Sequence, residues 1–167
     1  MKKFIFTKIQ SYDSHEKYER NVIKLQKLEK DRNTFTEVHV PYFTFDTIDK
    51  DLTITIQSEF IKGHFVGHRF SDILYKNLVE RDSLWSFTDY GILNFIKQEN
   101  TEKIYCIDFA SYRKMEVSKR RDEWNKQRKN RIIADTGWGS QQTDCRFCRK
   151  TFQNLVDEYT FFGNNPF

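Results

Sequence analysis

The alternation of Leu52, Ile54 and Ile56 with Thr53, Thr55 and Gln57 constrains the fold more than any other feature of the chain. Side chains on a strand point to opposite faces in turn, so this run has one apolar face that must be covered. A second strand-like run, Val38 to Thr47, precedes it, and Asp49-Lys50-Asp51 lies between as a polar turn. Together Val38 to Thr47 and Leu52 to Phe60 predict a β-hairpin. Phe4 to Ile9 alternate like a further short strand. Asp13 or Ser14 then caps a helix from about Glu16 to Glu29, whose apolar Tyr18, Val22, Leu25 and Leu28 recur on one face.

Downstream, Phe65 to Arg81 reads as a helix, with Phe70, Ile73, Leu74 and Leu78 as its stripe. Ile92 to Ile96 and Ile104 to Ile107 flank the polar Lys97 to Lys103 and read as a second hairpin. Glu116 to Ile133 is strongly charged and helical in character. Gly137-Trp138-Gly139-Ser140 breaks it, and Phe147 to Tyr159 supplies a last helix. Strand, helix, hairpin, helix, hairpin and helices in that order indicate an α+β fold rather than repeated βαβ units.

Composition narrows the function classes. The 167 residues suit one compact domain or two small lobes sharing a cleft, and 16% aromatic content supplies a core that a disordered chain lacks. A net charge of +4 suits an anionic ligand such as a nucleotide without requiring nucleic acid. Met1-Lys2-Lys3-Phe4-Ile5-Phe6 imitates the start of a signal peptide, but Lys8 ends its apolar run too soon. No apolar stretch is long enough to span a membrane, so a cytoplasmic, soluble protein is expected. Abundant Lys, Asn, Ile and Phe beside scarce Ala fit an AT-rich genome such as a viral one, which would put the protein in host cytoplasm.

Two motifs carry chemistry. Asp89-Tyr90-Gly91-Ile92-Leu93-Asn94 is a D-x-x-x-x-N segment, and beyond the second hairpin's turn Ile104-Tyr105-Cys106-Ile107 leads into Asp108-Phe109-Ala110. Phosphoryl transfer needs magnesium against the phosphates and a carboxylate beside the attacking hydroxyl. Magnesium keeps several waters, so one Asp and one Asn oxygen suffice as protein ligands. The two segments, joined by strand, turn and strand, resemble the catalytic loop and D-F-G segment of the protein-kinase-like superfamily. Thr55 to Gly63 resembles that family's fifth strand and hinge.

The resemblance covers Phe4 to Tyr112, about two-thirds of the chain. It implies a reduced bilobal kinase-like fold: an N-lobe over 1–59, built from a small antiparallel sheet and a helix, and a shortened C-lobe over 60–167. It implies an ATP-dependent, Mg2+-assisted kinase with Asp89 as catalytic base and Asn94 and Asp108 as metal ligands. Lys8 would bind phosphate, with Glu19 as its acidic partner, and Glu59 and Ile61 would receive adenine through their backbone. The acceptor is an unspecified hydroxyl-bearing substrate. The chain departs from the family pattern at several points: no Gly-rich loop precedes Lys8, Phe87 stands where a histidine is expected, and no A-P-E follows Asp108. The hinge-to-Asp89 stretch is also short.

Each residue has a plainer reading as well. Asp and Asn stabilise turns through side-chain to backbone bonds. A lysine on an edge strand and acids on a helix are ordinarily solvated. Those departures define one rival, a pseudokinase that keeps the fold as a nucleotide-binding or interaction module. The basic run Lys119-Arg120-Arg121 through Lys126, Arg128, Lys129 and Arg131 reads first as a solvated helix face. It also defines the second rival, a nucleic-acid-binding protein with Trp124 as a stacking residue. Cys145-Arg146-Phe147-Cys148 is a lone C-x-x-C without the second ligand pair that structural zinc needs, and Cys106 reads as core. His15, His39, His64 and His68 have no matched partners.

Overall fold

A computed structural model describes residues 5–66 and 70–127. The fold is α+β, with three small sheets among the described residues. Strand β1 (Ile5–Ser11) leads into helix α1 (His15–Asp31), which Ser14 caps by accepting the Lys17 N–H at 3.2 Å. Tyr18, Leu25 and Leu28 are the buried face of α1, at the spacing the sequence shows. Burying Leu28 completely stabilises the fold by about 2 kcal/mol relative to leaving it exposed.

The long run Val38 to Thr47 is two strands rather than one. β2 (Val38–His39) and β3 (Phe43–Ile48) are separated by Val40-Pro41-Tyr42. Pro41 lacks an N–H for a ladder, so the chain leaves one sheet there and enters another. β4 (Thr53–Glu59) returns antiparallel to β3 through a 3-10 turn over Asp49–Asp51. Leu52 closes that turn at φ 50 and gives its N–H to Asp49 O at 3.3 Å. β4 also pairs with β1 along its whole length, from Ile5↔Glu59 to Ser11↔Thr53, giving a sheet in the order β1-β4-β3.

The helix expected from Phe65 begins later. Phe65 belongs to strand β5 (Gly63–Phe65), and helix α2 (Ser71–Leu74) continues as a π-helical turn over Tyr75–Val79. Asn77 uses its side-chain amide to reach Ile73 O at 2.8 Å, the carbonyl its own backbone would take in an α-helix. The second hairpin forms from β7 (Phe95–Gln98) and β8 (Ile104–Cys106), while Ile92–Asn94 is a 3-10 turn before it. Asn100 turns the hairpin at φ 61, a conformation Asn tolerates. These strands form a sheet in the order β2-β8-β7-β5, in which β2 runs parallel to β8. Finally, β6 (Trp85–Phe87) pairs with β9 (Tyr112–Lys114), and helix α3 (Val117–Lys126) follows.

One core cluster runs through all of this, with Leu28 and Ile54 on one side of Glu59 and Leu78, Phe87, Phe95 and Tyr112 on the other. No described helix is long and apolar enough to cross a membrane. The expected extension of α3 to Ile133, the Gly137–Ser140 break, the helix over 147–159 and the Cys145/Cys148 pair lie outside the described residues.

Candidate functional site

Two ladders place Asp89, Asn94 and Asp108 together. At one end Phe87 pairs with Tyr112, and Thr88 gives both its N–H and its hydroxyl to Ser111 O, at 3.0 and 2.8 Å. At the other end Phe95 pairs with Cys106, and the Ile107 N–H donates to Asn94 O at 2.9 Å. The segments 88–94 and 107–111 are therefore two short loops pinned side by side at both ends. Asp89 and Asn94 lie on one, and Asp108 on the other.

Within the first loop, Asp89 Oδ1 accepts the Gly91 N–H at 3.2 Å, and the Asn94 N–H donates to Gly91 O at 3.1 Å. A methyl group at Gly91 would meet Asp89 Oδ1 at 3.5 Å and Asn94 Nδ2 at 3.7 Å, so both side chains gather around one point. On the second loop, burial raises the Asp108 carboxyl above its ordinary range, and the Asp89 charge adds to this. Lys8, the Ala110 N–H and Arg113 pull the other way. The field of Lys8 thus reaches Asp108 from β1. Lys8 stands opposite Ile56 in the ladder, on the sheet face that carries buried Ile54. Beneath the loops, Cys106 is fully buried and its thiol is pushed well up, first by burial, with Asp108 and Asp89 contributing.

Elsewhere the arrangement departs from the expected one. Glu19 does not meet Lys8: its carboxylate lies 3.4 Å from His15 Nδ1, and both side chains are largely solvated. The residue after buried Tyr18 points off the packed face of α1, which is why. The helix instead turns Lys24 toward the second loop, where its ammonium donates to Ala110 O at 3.3 Å. Glu59 and Ile61 lie on the passage from β4 into β5. The Glu59 N–H donates to Tyr42 O and its carboxylate accepts the Tyr42 N–H, both at 3.0 Å, while Ile61 is buried. Phe87 packs in the core against Phe35 and Tyr112, with ring centroids 5.4 and 5.1 Å away.

Gln127 holds the first loop in a way no sequence pattern signals. Its amide nitrogen donates to Thr88 O and its amide oxygen accepts the Tyr90 N–H, each at 2.8 Å, so one side chain brackets Asp89. Trp124, one turn earlier on α3, packs edge-on against Tyr90 and Tyr75 at centroid distances of 5.1 and 5.2 Å. Arg120 of the same helix is buried, not part of a solvated basic face, and donates Nη2 to Arg81 O at 2.8 Å. Replacing Gln127 with Ala leaves two backbone groups beside Asp89 without their partner. Urea unfolding at neutral pH is expected to show a loss of about 1–3 kcal/mol, the cost of such orphaned groups. An unchanged midpoint would mean the bracket contributes nothing.

Two carboxylates close enough for one to raise the other's pKa would lose that repulsion if a cation lay between them. Among the described residues there is no cluster of three or more His, Cys, Asp and Glu that could hold a metal. No family model matches the chain, and neither any curated protein nor any solved structure does.

Proposed function

We propose that the protein is an ATP-dependent, magnesium-assisted phosphotransferase of reduced kinase-like architecture, acting on a hydroxyl-bearing acceptor. The observation that carries this reading is the pair of doubly pinned loops holding Asp89, Asn94 and Asp108, with the charge of Lys8 directed at Asp108 from the neighbouring sheet. In this reading Asp108 and Asn94 hold Mg2+, which offsets phosphate charge when bound. Lys8 faces the same phosphates. Asp89 accepts or orients the acceptor's proton, and its bond to the Gly91 N–H fixes its rotamer for that task. The backbone of 59–61, between the two larger sheets, is the place for adenine.

A second reading, a pseudokinase that binds nucleotide without transferring phosphate, is favoured by one observation. Glu19 pairs with His15, so no carboxylate among the described ion pairs orients Lys8. Nucleic-acid binding through α3 is weakened by the burial of Arg120, which removes one charge from that face.

A thermal-shift titration with ATP, with and without magnesium, on the wild type and Asp108→Ala tests the proposal. Stabilisation of about 2.7 kcal/mol is expected at a hundredfold excess over Kd, only with magnesium and only in the wild type. Equal stabilisation by ATP and adenosine regardless of magnesium would overturn the metal-dependent reading.

A further inference from the structure

Behind the loops, on the side of α1, a cavity of ≈ 350 Å³ is lined by Arg20, Ile23, Lys24, Trp85, Arg113 and Lys114. Four of these six side chains are cationic, and none is a carboxylate. Arg20, Ile23 and Lys24 share one face of α1 by helical spacing, and Trp85 and Lys114 are ladder partners in the β6–β9 ribbon. The walls therefore belong to two elements, helix α1 and the β6–β9 ribbon. Glu16 reaches Arg20 at 3.1 Å through an exposed contact, and it is the only ion pair that Arg20, Lys24, Arg113 or Lys114 makes among the described residues.

We propose that this pocket, whose Lys24 also reaches Ala110 O of the second loop, binds a phosphate-class oxyanion on the α1 side of that loop. Like charges are gathered here against their mutual repulsion, and a multivalent anion is the ligand that relieves it. Burial depresses the Lys24 pKa, and the charges of Arg113 and Arg20 lower it further, while Asp108 opposes them from across the second loop. Cations converging on one hollow fit a compact dianion better than a polymer, whose phosphates are spread along an extended track. Ile23 and Trp85 give the hollow an apolar wall, so a phosphomonoester with an apolar body fits better than the bare ion. The site stands on these residues whether or not the two loops transfer phosphate.

Calorimetric titration of the full chain in chloride buffer tests this with inorganic phosphate, phenyl phosphate and a single-stranded oligonucleotide. Saturable one-to-one binding of phenyl phosphate is expected. Arg113→Gln and Arg20→Gln, both at exposed positions that leave the fold intact, should each weaken it about tenfold or more, as loss of a charge-assisted bond implies. Tighter binding of phenyl phosphate than of phosphate identifies an organic monoester as the ligand class, and equal binding identifies the free anion. Lys8→Met should leave this binding unchanged while reducing any MgATP effect, so failure of one site does not mimic failure of the other. The proposal is overturned by no saturable binding of either small anion, by variants that bind as well as wild type, or by binding of the oligonucleotide alone.

Discussion

Gly63→Ala is expected to destabilise the protein by about 3 kcal/mol or more, toward the upper end of what overpacking costs. A Cβ at this position would lie 1.9 Å from Lys97 O and 2.8 Å from Lys97 C. Both are backbone atoms of β7, which is held by β8 on its other side, so neither can rotate away as a side chain could. The strain has to be relieved by lifting β5 off β7, which loosens the pairing of His64 with Lys97 and the Val66 N–H bond to Phe95 O at 3.2 Å. Gly91→Ala is the matching control. Its Cβ would meet nothing among the described atoms closer than 3.5 Å, an ordinary contact, so its midpoint should stay within about 0.5 kcal/mol of wild type. Urea unfolding of both variants checks the contrast. A Gly63→Ala protein as stable as its parent would mean that β5 does not approach β7 this closely.

The parts of this fold that were legible in the sequence are those decided by neighbours in the chain. The stripe Tyr18, Val22, Leu25 and Leu28 announces α1, and Ser14 is one of the two caps the sequence offers for it. The turn at Asp49–Asp51 announces the first hairpin. Misread segments are those where a distant partner decides. Val38 and His39 read as the start of one long strand, but they pair in parallel with Ile104 and Tyr105, and nothing local signals that. Phe65 reads as the start of the helix that carries the Phe70 stripe, but it pairs with Ile96 in a strand.

The same division holds in the site. The two loops could be read from their motifs because one hairpin joins them. Their second pin, the β6–β9 pairing, and the bracket by Gln127 are long-range and left no trace in the spacing. Arg120 shows the limit of counting charge. A guanidinium in a basic helix reads as solvated, yet this one lies under the chain where Arg81 O receives it. By its place on the helix after β1, Glu19 reads as a partner for Lys8. The helix phase that buries Tyr18 turns it elsewhere.

Replacing Asp89 and Asp108 separately with Asn should give two distinguishable phenotypes, because the proposed reading gives the two charges different neighbours. Asp89→Asn keeps shape but removes the carboxylate beside the acceptor. MgATP affinity should stay nearly intact while turnover falls about 10²–10⁴-fold, the span of general-base loss. Because the Asp89 charge helps hold the Asp108 carboxyl up, this variant should also return Asp108 toward its ordinary range. Asp108→Asn should lose metal-dependent ATP stabilisation and turnover together. Its effect on the ligand-free fold has the opposite sign. A carboxyl whose pKa is raised on folding contributes stability that is full below its unfolded pKa and is lost as pH rises through the higher folded value. At neutral pH, half-buried Asp108 is therefore a cost, chiefly of desolvation, that Asn does not carry. The ligand-free Asp108→Asn protein should melt above wild type at neutral pH, with the gap closing on acidification. A variant that is more stable alone and less stabilised by MgATP is what a ligand-binding carboxylate predicts, and a turn-capping Asp would not give the second result. Melting curves across pH, with phosphate transfer or basal ATP hydrolysis measured on the same preparations, decide the matter. If both variants retained wild-type transfer, Asp89 and Asp108 would not be the residues that carry the chemistry.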